Sequence, residues 1–127
     1  MEFLSAYDIL TLHADQIDRY GGECGVRDLG LLDSAAAQAK ATFGGEFLHT
    51  DVFEMGAAYL FHIVKNHPFV DGNKRAGLAA ALVFLDLNGV EIDVPKGALY
   101  ELTMAVAAGQ ADKTKVAEFL RTTAAPG

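Results

Sequence analysis

The sequence predicts an all-α domain of about six helices packed round a buried central one. Three observations carry that prediction. Apolar residues recur at intervals of three and four in six separate segments, as one face of a helix requires. Gly, Pro and an Asn-Gly pair punctuate those segments at their ends. One segment, residues 73–87, is apolar almost all round (Leu78, Ala79, Ala80, Ala81, Leu82, Val83, Phe84, Leu85), which suits the buried middle of such a domain.

Residues 5–20 form the first predicted helix. Ser5 and Asp8 make a weak capping box, Ile9, Leu12, Gln16 or Ile17, and Tyr20 recur at helical spacing, and Gly21-Gly22 stops the run. A loop over 21–28 ends at Asp28, which caps a second helix with Leu31, Leu32, Ala35, Ala36 and Ala39 inward. Residues 42–49 carry two glycines flanked by aromatics and read as a partly extended helix connection, with a flap beside the site as the alternative. Thr50 is expected to cap the third helix, whose apolar stripe includes Val52, Met55, Tyr59 and Ile63. After the fourth helix and Asn88-Gly89, residues 90–94 alternate apolar and acidic and read as a short extended piece ended by Pro95. Residues 98–108 form a fifth helix. Asp112 caps a sixth over 113–121, with Val116, Phe119 and Leu120 inward, and 122–127 is expected to fray.

Nothing in the 127 residues divides the chain, so 1–127 reads as one domain, with 51% hydrophobic residues to fill its core. A net charge of −7 and a pI near 4.9 exclude wholesale nucleic-acid binding, which needs a basic face. The single Cys24 excludes an internal disulfide and fits a reducing compartment. The most apolar run, 76–85, is too short for a bilayer, and the first ten residues carry acid where a signal peptide carries base. The expectation is a soluble, cytoplasmic protein with no membrane partner.

The chemistry concentrates in His67-Pro68-Phe69-Val70-Asp71-Gly72-Asn73-Lys74-Arg75. Pro68 pushes His67 out of the helical region and ends the incoming helix. Asp71-Gly72 makes a tight turn, and Asn73 is placed to cap the next helix. That helix end has free N–H groups and a positive dipole, so it can hold an anion. Lys74 and Arg75 in the first turn repel the dipole unless an anion is held there. Phe69 is read as the structural anchor that leaves His67 and Asp71 pointing outward. Lys65 and Asn66 stand near the rim. His62 reads as a hydrogen-bonded core or boundary residue, and His13 and His49 show no partners. HExxH, paired CxxC, EF-hand and P-loop patterns are missing from the sequence, which argues against a structural metal or a P-loop nucleotide site. An imidazole, a carboxylate, an anion-binding helix end and two cations suit chemistry on a metal-bound phosphate ester.

These nine residues resemble the Fic motif, HxFx(D/E)GN(G/K)R, in the form of its Doc branch, the toxins of Phd–Doc toxin–antitoxin pairs. Arg19-Tyr20-Gly21-Gly22 and the stretch from Phe84-Leu85 to Asn88-Gly89 are similar to Doc as well, so the resemblance covers nearly the whole chain. It implies a single Fic/Doc domain and a transferase using ATP and Mg²⁺. Most Fic proteins transfer AMP, and their motif has glycine where Lys74 stands and a second arginine where Leu78 stands. The departure is the one seen in Doc, and it implies a protein kinase that phosphorylates a threonine of elongation factor Tu and so arrests translation. Carried over, His67 is the general base, Asp71 the Mg²⁺ ligand, and the N–H groups after Gly72 with Asn73 the anion hole. Lys74 and Arg75 neutralise the transferring phosphate. A Phd-type antitoxin is implied, its C-terminal segment folding into a groove over the site, with residues 43–49 touching target or antitoxin. AMP transfer, a catalytically idle binding partner and a DNA-binding module are the competing readings. The last is disfavoured by charge, and the idle partner by the intact His67, Asp71 and Arg75.

Overall fold

The computed structural model describes residues 1–126. Six helices occur in the predicted order: α1 Ala6–Tyr20, α2 Leu29–Ala39, α3 Val52–Asn66, α4 Asn73–Leu87, α5 Lys96–Ala107 and α6 Lys113–Thr123. A two-stranded antiparallel hairpin, β1 Thr42–Phe43 and β2 Glu46–Phe47, lies between α2 and α3. Among the described residues no helix is long and apolar enough to cross a membrane.

Local chemistry sets most helix starts. Ser5 and Asp8 exchange hydrogen bonds as a full capping box, and Asp28 and Asp112 accept from the backbone of Leu31 and Lys115. At α3 the cap is Asp51, which accepts from Glu54 N–H, and not Thr50. The Thr50 hydroxyl instead donates to Glu54 at 2.7 Å. Two adjacent residues could each cap, and the aspartate also gains Arg121 at 2.8 Å.

The element on which most others pack is α3, flanked by α2, α4, α5 and α6, while α1 packs on α4 and α2. Small residues let α4 approach it: a β-carbon on Gly77 would lie 2.9 Å from Val64 and 3.2 Å from the Leu60 carbonyl oxygen. The expected central helix, α4, buries Ala76, Gly77, Ala80, Ala81, Phe84 and Leu85. Its other apolar face, with Leu78, Ala79, Leu82 and Val83, is only half-buried because it lines a cleft. That face explains why the segment is apolar all round without being enclosed all round.

Two connections are more regular than expected, the first of them the partly extended α2–α3 connection. The Gly44-Gly45 turn has φ of 62° and 84°, which glycine adopts without strain, and folds 42–47 into the hairpin. Phe47 packs on Phe3, while Phe43 is exposed. The expected frayed tail is partly structured. Helix α6 runs two residues further than predicted, and Ala124 pairs with Ile92. Asp93 N–H donates to the Thr123 carbonyl (2.8 Å) and Ala125 N–H to that of Glu91 (2.7 Å). The short extended piece therefore finds its partner in the chain end. Gly127 lies outside the described residues.

Candidate active site

The loop between α3 and α4 holds the motif. Helix α3 ends at His67, whose backbone is left-handed (φ 54°, ψ 53°) and whose N–H still donates to the Ile63 carbonyl at 3.1 Å. His67 thus leaves the helical region, as Pro68 demands, but into the left-handed basin rather than an extended one. Pro68 and Phe69 are fully buried, while His67 and Asp71 are exposed. Phe69 is the expected anchor.

Asn73 does not cap α4. Its Oδ1 accepts from Phe69 N–H (2.9 Å) and its Nδ2 donates to the Phe69 carbonyl (3.0 Å), so the amide is turned inward and closes the loop. The N-cap is Gly72 (φ 77°), and among the described residues no side chain caps this end, whereas α1, α2, α3 and α6 each have one. Of the expected anion hole, Asn73 therefore contributes its backbone N–H and not its side chain. The first turn of α4 remains open to an anion.

Asp71 is gripped by backbone donors. Its carboxylate accepts from Glu23 N–H at 3.1 Å and Gly72 N–H at 2.8 Å. These two bonds, helped by Arg75 and His13 nearby, hold its carboxyl below the usual value. Arg75 is half-buried, and its Nη1 donates to the carbonyls of Gly21 (2.8 Å) and Gln16 (3.3 Å), which ties the start of α4 to the end of α1. Lys74 is exposed and, among the described residues, has no ion-pair partner.

His67, Asp71, Gly72, Asn73, Lys74 and Arg75 together border one cleft of about 1070 Å³. Its walls continue along Leu78, Ala79, Leu82 and Val83 of α4 and Leu99, Tyr100, Thr103 and Met104 of α5, so a polar end opens into an apolar groove. Lys65 and Tyr20 are at its edge; Asn66 is turned away and donates to the Leu31 carbonyl. No residue of the hairpin borders it, nor do His49 and His62. Among the described residues the Nε2 atoms of His49 and His62 are buried without a partner, so His62 is the expected boundary residue away from the cleft but lacks the expected hydrogen bond at Nε2.

Three positioning contacts had no signature in the sequence. Arg27 donates from Nε to the His67 carbonyl (2.7 Å) and from Nη2 to that of Asn66 (3.0 Å), capping α3 with a cation where its dipole is negative. The 21–28 loop pairs with the motif loop: Arg27 N–H donates to the Pro68 carbonyl at 2.7 Å and Val70 N–H to that of Gly25 at 3.0 Å. His13, expected to be without a partner, is buried, stacks on Phe69 and meets the Asp71 carbonyl. The Arg19-Tyr20-Gly21-Gly22 stretch marked this loop as part of the resemblance, but not these contacts.

Magnesium fits the donor set. It is a hard ion usually held by one or two carboxylates together with substrate phosphates, and Asp71 offers an ionised carboxylate beside the open helix end.

The family model for the Fic/DOC family matches residues 3–85. A protein named "Protein kinase doc" from Escherichia phage P1 is 38% identical over 122 residues, covering 95% of this chain and 94% of the relative. "Toxin Doc" from Mycolicibacterium smegmatis is 45% identical over 91 residues, covering 72% of this chain and 68% of the relative. With its motif loop, open α4 end and matched relatives taken together, this chain belongs to the Fic/Doc family.

Proposed function

We propose that the chain is a toxin that transfers the γ-phosphate of Mg-ATP to a threonine of elongation factor Tu and thereby arrests translation. The observation that carries the reading is the gathering of His67, Asp71, Lys74 and the uncapped start of α4 at one end of a single cleft. The names of the two relatives, a protein kinase and a toxin, support it.

In this reading His67 accepts the proton of the target hydroxyl at its imidazole, from an exposed position at the cleft rim. Asp71 holds Mg²⁺, which when bound screens charge between phosphate oxygens. The N–H groups of the first turn of α4 and the Lys74 ammonium face the charge that grows on the phosphate. Arg75 holds α1 against the motif with Nη1 and has its remaining guanidinium donors for the phosphate. Phosphoryl transfer needs little else, because positioning and electrostatics supply most of its catalysis.

Transfer of AMP is the second reading. Lys74 and Leu78 both border the cleft, where the AMP-transferring motif has glycine and arginine, and this favours attack at the γ-phosphorus. The apolar groove beyond the polar end supports a Phd-type antitoxin segment as occupant, folding on binding in the cytoplasm. Purified chain, Mg²⁺ and elongation factor Tu are to be mixed with ATP labelled at the α- or the γ-phosphate, beside a His67→Ala control. Label on the factor from the γ-position alone, absent in the control, is the expected result. Label from the α-position would replace kinase by AMP transferase. An equally active His67→Ala protein would remove His67 from the chemistry.

A further inference from the structure

One buried polar side chain beside the cleft is not accounted for by the transfer chemistry. His13 projects from the middle of α1, 58 residues before Asp71 in sequence, and is only 4% exposed. Its ring lies parallel to that of Phe69, with centroids 3.7 Å apart and planes 2° apart. Its Nε2 is 2.7 Å from the carbonyl oxygen of Asp71. A carbonyl only accepts, so Nε2 carries the proton and donates.

The Asp71 carbonyl needs such a partner. The backbone ladder of α4 begins one residue later, with Ala76 N–H donating to the Gly72 carbonyl at 2.9 Å, and among the described residues no backbone N–H donates to the Asp71 carbonyl. The Asp71 carbonyl and the Gly72 N–H belong to one planar trans peptide and point in opposite directions. With the carbonyl drawn toward α1, the N–H is turned to the Asp71 carboxylate, which it meets at 2.8 Å. Gly72 has φ 77°, in the region where glycine moves freely, so the residue itself does little to hold this plane. Turned over, the peptide would set a carbonyl oxygen at the polar end of the cleft, where it would repel a phosphate and take from Asp71 one of its two donors.

We propose that His13 is a positioning residue: its Nε2–H locks the Asp71–Gly72 peptide with the N–H, and not the carbonyl, on the side of the phosphate site. The consequence for catalysis rests on the phosphotransferase reading of the cleft; the lock itself does not.

Two variants separate the donor from the ring. His13→Phe keeps an aromatic ring to lie on Phe69 and removes the donor. His13→Gln keeps a side-chain N–H at similar reach and removes the ring. Each is made in the full chain and followed by thermal unfolding, by the Gly72 amide resonance of isotope-labelled protein, and by Mg-ATP kinetics. His13→Phe is expected to shift or broaden the Gly72 resonance and to lower kcat/KM by about tenfold or more, chiefly through KM for Mg-ATP. His13→Gln is expected to stay within about threefold of the parent, with the resonance in place. A packing role predicts the reverse order, and that order overturns the proposal. If the parent chain transfers no phosphate, the reading of the cleft fails, and the resonance alone decides: unmoved in His13→Phe, it sinks the lock. If His13→Phe does not fold, a folded His13→Gln protein with a displaced Gly72 resonance does the same.

Discussion

Gly22 lies so close to Asp71 that a β-carbon on it would sit 2.8 Å from the carboxylate oxygen Oδ2. The same atom would stand 3.0 Å from Arg75 Nη2 and 3.0 Å from Ile17, and Gly22 has φ 120°, a conformation other residues rarely adopt. Gly22→Ala must therefore displace the acid, the guanidinium or the loop. We expect a loss of about 1–3 kcal/mol in stability from backbone strain and a larger fractional loss of phosphate transfer. Denaturant unfolding and the labelled-ATP assay check the two separately. Unchanged activity would mean that the loop gives way without disturbing Asp71.

His67 combines an exposed imidazole with a left-handed backbone ahead of proline. A side chain in that basin costs about 1–2 kcal/mol, while glycine enters it freely. His67→Gly is expected to unfold at a temperature no lower than the parent and to transfer no phosphate above background. A drop of several degrees in Tm would show that the imidazole stabilises the fold, contrary to its proposed role.

Arg27 satisfies two carbonyls at the end of α3 and neutralises the negative end of that helix. Arg27→Ala is expected to cost about 1–2 kcal/mol and to loosen the backbone under His67. Arg27→Lys restores charge but not the forked pair of bonds, so it should recover only part of the loss. Hydrogen exchange at Ile63 to His67 distinguishes local loosening from general destabilisation.

Burial, with Lys113 and His49 adding to it, pushes the His62 imidazole down to about 4 from an ordinary 6.5. Between those values the unfolded chain binds a proton that the folded chain refuses. The contribution to stability is whole above the ordinary value and is lost as pH falls toward 4. Burial lowers His49 in the same direction. Replacing His62 by leucine should flatten the fall in Tm on acidification, measured by calorimetry across that interval. An equal slope in both proteins would place the acid sensitivity elsewhere.

Features set by near neighbours were legible in the sequence. The Ser5–Asp8 box, the Asp28 and Asp112 caps and the order of helices depend on residues three or four apart. Asp51 displaced Thr50 because adjacent residues competed and a distant partner, Arg121, decided; Gly72 displaced Asn73 although Phe69 is only four residues away, because an asparagine that turns its amide back into the loop has the same local sequence as one that caps. The motif marked the polar end of the cleft. It could not mark the supports beneath it, since His13, Glu23 and Arg27 reach the motif loop across separations of 58, 48 and 40 residues. Nor could it show that the second apolar face of α4 was a groove wall, because a helix pattern records which positions avoid charge and not what lies opposite them.

The pairing of the 21–28 loop with the motif, and the α5 wall of the cleft, also fix an order of assembly during synthesis. Chains emerge from the amino end. The first half of the cradle is made well before Arg75 can reach back to Gly21, and Tyr100 and Met104 arrive later still. A nascent chain that ends short of α5 already carries every motif residue but lacks one side of the place where substrate would lie. For a protein proposed to halt ribosomes, competence is thus deferred until α5 has followed the motif out of its own ribosome.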